Sequence, residues 1–305
     1  MLLYTLHSPP FFFIIYLFVP PLIIRASRKS FAQSFRKNLL KKIPNISLFV
    51  KSDSENYSEY NVCMLFLPIR TRPFLPPQDD LYELIDTHVP ALQEGDVLII
   101  TSKILAIHQG RCVKIEDSVN KDDLILQEAE KYIPRSEVPK GYVLLTVKQN
   151  TLIPSAGIDE SNGNGYYILW PEKIQQSAKE IWEYLKKKFT LGNVGVIITD
   201  SHTIPLRYGV VGISIGFYGI KPFKDYRGMQ DIFGRTLTMT RSNIVDALAG
   251  IAVLLMGEGR EQTPMLVLHG ADFLEFTDED VYHTFVIPAD EDIYMPLLKT
   301  FHEKE

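Results

Sequence analysis

The sequence predicts an α+β fold, with mixed sheets and packed helices. Three observations point to it. Short apolar runs at residues 97–100, 194–199 and 264–268 have strand length and strand composition. Two longer stretches, 171–189 and 242–256, space their apolar residues three and four apart, as a helix face does. The two kinds of segment mix without the strict alternation that a doubly wound sheet would need.

The elements follow in order. Residues 62–69 read as a short strand, closed by Pro68 and Pro73. Residues 80–89 set Leu81, Leu84, Ile85 and Val89 on one helical face, with Asp79 as N-cap. Glu94-Gly95-Asp96 is a turn into the apolar strand 97–100. Residues 122–132 read as a short polar helix and 142–147 as a strand. Pro171 suits the first position of a helix reaching Phe189, with Ile174, Ala178, Ile181 and Leu185 on its buried side. Residues 194–199 form a strand ending at Asp200, and Val211, Ile213, Ile215 and Phe217 alternate as in a half-buried strand. Ser242 caps a helix lined by Ile244, Leu248, Ile251 and Leu255, which Gly257 stops. A strand over 264–268 follows.

The chain has 305 residues, 46% hydrophobic and 23% charged, as an ordinary globular protein does. Residues 1–51 hold eight Lys or Arg and no Asp or Glu. Taking those eight from the net −5 leaves the remainder at −13. An acidic body argues against nucleic-acid binding and suits metal-dependent handling of a small anion. Cys63 and Cys112 form no C-x-x-C pair, so a reduced, cytoplasmic protein is expected.

Residues 11–19 (FFFIIYLFV) are strongly apolar, but Pro20-Pro21 interrupts them short of the ~20 residues a membrane span needs. No Lys or Arg precedes them. Residues 1–61 therefore read as an extension: an anchor, a transit peptide, or a stretch outside the working protein, with Met64 as its start. The last is favoured, because no core-like pattern precedes Cys63. Membrane contact is expected only if the extension is functional. Residues 62–300 form the working domain.

The chemistry concentrates in three acidic places. Asp159 lies in the turn AGIDESN, Asp200 follows the apolar run IIT, and Glu258 stands in Met256-Gly257-Glu258-Gly259. Hard cations such as Mg²⁺ take a few carboxylates plus phosphate oxygens. Glycine-flanked N–H groups can approach phosphates closely. Glu258 also follows a helix C-terminus, where a negative charge calls for a compensating cation, either a metal or Arg260. The pattern points to nucleotide-dependent chemistry, although neither a P-loop nor a dinucleotide fingerprint occurs. Taken singly, Asp159 also reads as an Asx turn and Asp200 as the N-cap of a following turn.

Gly-Ile-Ser214-Ile-Gly matches the serine-hydrolase elbow, and Ser214, Asp246 and His269 could mimic a triad. The elbow needs a helix after the serine, whereas alternation continues here, and Asp246 reads as mid-helix. His202 beside Asp200 could be a ligand or a proton shuttle. Arg207, Lys221, Lys224, Arg227 and Arg235 supply cations that could read carboxylate or phosphate.

In combination, AGID-x-SN, IITDS, GVVG-x-x-IG, KD-x-x-G-x-x-D-x-FGR and LLMGEG resemble the coenzyme F420-0:L-glutamate ligases over about residues 62–275. The resemblance implies an intertwined α+β homodimer. It implies a ligase, usually using GTP (ATP being the other choice), that joins L-glutamate to an acid with two divalent metals, Mg²⁺ or Mn²⁺. Asp159 and Asp200 would hold one metal, and Ser201 and Glu258 the other. Asp159, Asp200 and Glu258 would be the catalytic acids. Leu67, Pro68, Ile69, Arg70, Ser102, Asn162, Met256, Gly257, Gly259, Arg260 and Thr263 would contact nucleotide.

Two positions depart from the family pattern. Ile107 stands where the family often has Lys, and Lys103 lies four residues earlier. The segment His202-Thr203-Ile204-Pro205-Leu206-Arg207 replaces a Gly-Arg and is similar to the branch acting in folate metabolism. The acceptor is then folate- or pteroate-like, or coenzyme F420-0. Two rivals stand beside the ligase: a non-catalytic nucleotide- or metal-binding module, which Ile107 makes conceivable, and the Ser214 hydrolase.

Overall fold

The computed structural model describes residues 2–8, 11–17, 47–50 and 63–303. The first strands are β1 (Leu2–Ser8), β2 (Phe11–Leu17), β3 (Ser47–Val50) and β4 (Cys63–Ile69). Then come α1 (Leu81–His88), β5 (Asp96–Thr101), α2 (Ser102–His108), β6 (Cys112–Lys114), α3 (Lys121–Glu128), β7 (Lys131–Ile133), β8 (Leu145–Lys148), β9 (Thr151–Pro154) and β10 (Tyr166–Ile168). The second half holds α4 (Ile174–Phe189), β11 (Val194–Thr203), β12 (Val210–Tyr218), β13 (Phe223–Asp225), β14 (Arg241–Asn243), α5 (Ile244–Met256), β15 (Met265–His269), α6 (Met295–Leu298) and β16 (His302–Glu303).

A six-stranded mixed sheet, ordered β12-β11-β5-β15-β4-β3, organises the molecule. Only β11 and β5 pair in parallel, from Val194 opposite Asp96 to Thr199 opposite Thr101. Their apolar runs are continuous because helices cover both faces. Leu98, Ile100, Val196 and Ile198 pack with α1 and with Ala178, Ile181 and Leu185 of α4. Val97, Ile99 and Ile197, one residue out of phase, pack with Val245, Leu248 and Ala252 of α5. Each buried Val, Leu or Ile among them contributes about 1.5–3 kcal/mol. A separate, antiparallel sheet, β16-β7-β8-β9, packs against the first through Ile153 of β9. The mixture of sheets and helices is the α+β class that the pattern predicts.

Several local expectations need correction. Asp80, not Asp79, caps α1, accepting from Tyr82 N–H at 2.8 Å. Asp79 is taken up by the Arg72 guanidinium instead. The polar helix spans Lys121–Glu128, capped by Asn120, and residues 131–133 pair with β8 as a strand. The strand expected at 142–147 is Leu145–Lys148. α4 begins at Ile174, three residues after Pro171. Asn243, not Ser242, caps α5, because its side chain reaches Asp246 N–H. Asp246 therefore sits in the first turn of α5, not at its middle. The strand meant to end at Asp200 continues to Thr203, because β12 pairs with it throughout.

Residues 47–50 belong to the stretch that the sequence sets apart as an extension, and their backbone pairs with β4. Residues 25–45, the basic part of that stretch, lie outside the described residues. Among the described residues no helix is long and apolar enough to cross a membrane.

Candidate active site

The site forms where the two parallel strands end together. Thr101 closes β5 opposite Thr199 of β11. The chain then turns directly into α2 through Ser102, while β11 runs on to Asp200 and Ser201. Ser102 Oγ donates to Asp200 Oδ2 at 2.8 Å, and Ser201 N–H donates to Oδ1 at 2.7 Å. Burial pushes the Asp200 carboxyl up to about 6, against the pull of those two donors and the Lys103 charge, with the Asp159 charge adding to the rise.

Lys103 reaches the acidic turn on the facing wall. Its ammonium donates to Asp159 Oδ2 at 2.6 Å, to the Ser161 carbonyl at 2.9 Å and to Ser161 Oγ at 3.1 Å. Burial would raise the Asp159 carboxyl. The Lys103 charge and hydrogen bond, with two bonds from Ser161, hold it below the ordinary value instead. Ser161 N–H donates to Asp159 Oδ1 at 2.8 Å, so the Asx turn and the place in the site occur together.

The third wall is the loop after α5. Gly257 ends the helix at φ 82, a conformation that disfavours side chains. Glu258 follows, and burial raises its carboxyl. A hydrogen bond from the Ser201 side chain and the Lys103 charge oppose the rise, while the charges of Asp159 and Glu261 add to it. Asn162 Nδ2 donates to the Gly259 carbonyl at 2.9 Å, tying this loop to the Asp159 turn. Thr263 Oγ1 donates to the Met256 carbonyl and closes the loop at its base.

These walls enclose a cleft of about 480 Å³. Asp159, Asp200, Ser201 and Glu258 all line it, with Ser102, Asn162, Met256, Gly257, Gly259, Arg260 and Thr263. Leu67, Pro68 and Ile69 lie in β4, Ile69 is buried, and Arg70 follows; the lining starts one residue later, with Thr71 to Phe74.

A family model described as F420-0:Gamma-glutamyl ligase matches residues 69–270. The chain belongs to that family. It is 34% identical over 220 residues to the coenzyme F420:L-glutamate ligase of Methanopyrus kandleri, covering 67% of this chain and 85% of the relative. The proteins of the same name from Methanosarcina mazei and Archaeoglobus fulgidus are each 31% identical, covering 76% of this chain and 96% of theirs. The F420-0:gamma-glutamyl ligase match spans all the walls of the cleft.

As a metal centre the site has a fitting but dispersed donor set. Among the described residues no three His, Cys, Asp or Glu side chains stand close enough together to hold an ion as placed. The facing donors are nonetheless all oxygens. Asp200 and Glu258 both take hydrogen bonds from Ser201, and oxygen donors of this kind suit a hard divalent cation.

Sequence reasoning missed three contributors: the Lys103 ammonium, Glu261 and the 71–74 wall. Lys103 had a readable signal, since it stands two residues past the C-terminal end of a buried strand, where open sheets place their chemistry. Ile107 is buried, 2% exposed, and also lines the cleft.

The hydrolase constellation is not assembled. Ser214 Oγ donates to the Gly216 carbonyl at 3.3 Å, and its N–H donates to Asp246. His269 instead pairs with Asp96, at the opposite end of β5 from the site. Of the basic cluster, Lys221 pairs with Glu275 and Arg227 with Asp225, both away from the cleft.

Proposed function

We propose that this cleft catalyses nucleotide-dependent formation of an amide between the amine of L-glutamate and a carboxylate acceptor, either folate- or pteroate-like or coenzyme F420-0. The observation that carries the reading is the meeting of Asp200, Glu258 and the Lys103–Asp159 pair in one cleft, on a chain of the F420-0:gamma-glutamyl ligase family. The names of the relatives support a glutamate ligase. The His202–Arg207 segment supports the folate-like acceptor.

A carboxylate and an ammonium do not condense in water without activation. In the proposed reaction the acceptor carboxylate takes the γ-phosphoryl of GTP (or ATP), and the nucleoside diphosphate leaves. The glutamate amine attacks the resulting acyl phosphate. Phosphate departs, and the amine proton passes to solvent or to a nearby carboxylate. Asp159, Asp200, Ser201 and Glu258 would hold two Mg²⁺ or Mn²⁺ ions, whose chemistry is to neutralise charge on the transferred phosphoryl.

The chain's own groups have separate tasks. Ser102 and Ser201 fix the Asp200 carboxylate by hydrogen bonds to its two oxygens. Lys103 holds the Asp159 turn against the site. The glycine-flanked loop at 256–263 lines the cleft, with Gly259 N–H donating to Glu261 Oε2 at 2.8 Å, and that N–H would exchange the carboxylate for a phosphate oxygen when nucleotide binds. The working unit is taken to be a cytoplasmic homodimer, and a monomeric sedimentation value at working concentration would count against that.

The test is phosphate release from GTP and from ATP with Mg²⁺ or Mn²⁺ and L-glutamate, offering a dihydropteroate, a folate and coenzyme F420-0 in turn. Release that needs both glutamate and one acceptor establishes the ligase and names its substrate. Nucleotide binding with no release under any acceptor overturns it in favour of a binding module.

A further inference from the structure

Part of the cleft lining is apolar: Pro73, Phe74, Ile104 and Ile107. Phe74 is the aromatic side chain among the cleft's lining residues. It is half-buried, packed on the cluster of Ala106, Ile107 and Ile168. Ile104 and Ile107 line the cleft beside it, both nearly fully buried. The acidic groups come from the end of β11, the Asp159 turn and the loop after α5, while Lys103 shares α2 with Ile104 and Ile107.

Phe74 is held in place by its neighbours. Thr71 N–H donates to the Gln262 carbonyl at 2.9 Å, fastening the segment to the glycine-flanked loop. Leu75 N–H donates to Asp79 Oδ2 at 2.9 Å. Arg72 grips the same carboxylate with both terminal nitrogens, at 2.6 and 2.9 Å, and its guanidinium lies 5.9 Å from the Phe74 ring centroid. An aromatic ring fixed this way at an open cleft has low ordering cost when a ligand arrives. Flat rings stack on such platforms regardless of their hydrogen-bonding edges.

We infer that Phe74, seated on Ile107 and braced by the Arg72–Asp79 pair, is the platform for a planar heteroaromatic ring of a bound ligand. The inference rests on the proposed ligase reading for its ligands. Two of them carry such a ring, the nucleotide and the acceptor, and glutamate carries none. On this basis Ile107 is the floor of a ring subsite, and an ammonium at that position would be buried without need.

The experiment measures direct binding of GTP, ATP, the free nucleosides guanosine and adenosine, inorganic triphosphate and a pteroate to the full chain. It uses the wild type, Phe74→Ala and Phe74→Trp, alongside KM for glutamate and the melting temperature. Phe74→Ala is expected to weaken the ring-bearing ligand about tenfold, to leave inorganic triphosphate and the glutamate KM unchanged, and to be restored by Phe74→Trp. Loss confined to nucleotide and nucleoside assigns the base; loss confined to the pteroate assigns the acceptor. Equal weakening of triphosphate and of ring-bearing ligands with a lowered melting temperature, or no change in any, overturns the inference. Ring binding without turnover would sink the ligase reading and leave this one standing; turnover insensitive to Phe74→Ala would do the reverse.

Discussion

Ser102 and Asp200, 98 positions apart, are joined by a 2.8 Å hydrogen bond at the shared end of two parallel strands. Asp200 supplies charge to the cleft, whereas burying that charge works against folding. Asp200→Ala is therefore expected to abolish glutamate-dependent phosphate release while the melting temperature is unchanged or higher. Retained activity with ordinary metal dependence would remove Asp200 from the site.

Glu258 lies among like charges from Asp159 and Glu261. A neutral isostere keeps the shape and loses the anion. Glu258→Gln should shift the Mg²⁺ or Mn²⁺ titration of activity to higher concentration, by roughly tenfold or more for one charged ligand oxygen lost. A metal titration that superimposes on the wild type would count against the assigned role.

Gly157 sets the Asp159 turn. Its φ is +73, and a Cβ there would meet Trp170 Cε3 at 1.8 Å. The buried indole cannot yield without moving the core around it. Gly157→Ala should cost about 3 kcal/mol from overpacking and backbone strain together. It should also raise the metal concentration needed for activity by displacing Asp159. Urea unfolding measures the first effect; a midpoint equal to the wild type would show that the turn relaxes freely.

The Arg72–Asp79 pair gives a pH signature. Hydrogen bonds from Arg72 hold the Asp79 carboxyl down to about 2, below its ordinary 3.8. A depressed carboxyl adds stability that is full above the unfolded value and is lost as pH falls from about 4 toward 2. Arg72 is 36% exposed, so solvent screening limits the contribution to about 1 kcal/mol. Asp79→Asn should lower unfolding stability by that amount at pH 7, and the gap should narrow by pH 3. A gap that stays constant with pH would place the loss in packing rather than charge.

The local pattern made much of the fold legible. The runs at 97–100 and 264–268 are read directly because strands covered on both faces are continuously apolar, and the buried stripe of α4 because its burial repeats at the helical period. Helix α2 was not readable in the same way. Ser102–His108 is seven residues long and mostly buried, with Ile104, Leu105, Ala106 and Ile107 in succession, so no amphipathic period shows. The caps were each missed by one residue, at Asp79 for Asp80 and at Ser242 for Asn243. Adjacent polar residues compete for that role, and only the backbone turn decides which side chain reaches the free N–H groups.

The sequence by itself determined the α+β class, the family and three of the four acidic residues lining the cleft, because residue type, spacing and local apolar period are all encoded within short windows. Only the tertiary structure decided which of those residues meet. Lys103 reaches Asp159 across 56 positions, and Phe74 comes to lie on Ile107 in the lining of the same cleft. Such meetings follow from the parallel pairing of β5 with β11 and from helices packing on both faces of the sheet. That arrangement is selected by the summed burial of the whole core, a quantity no short window contains.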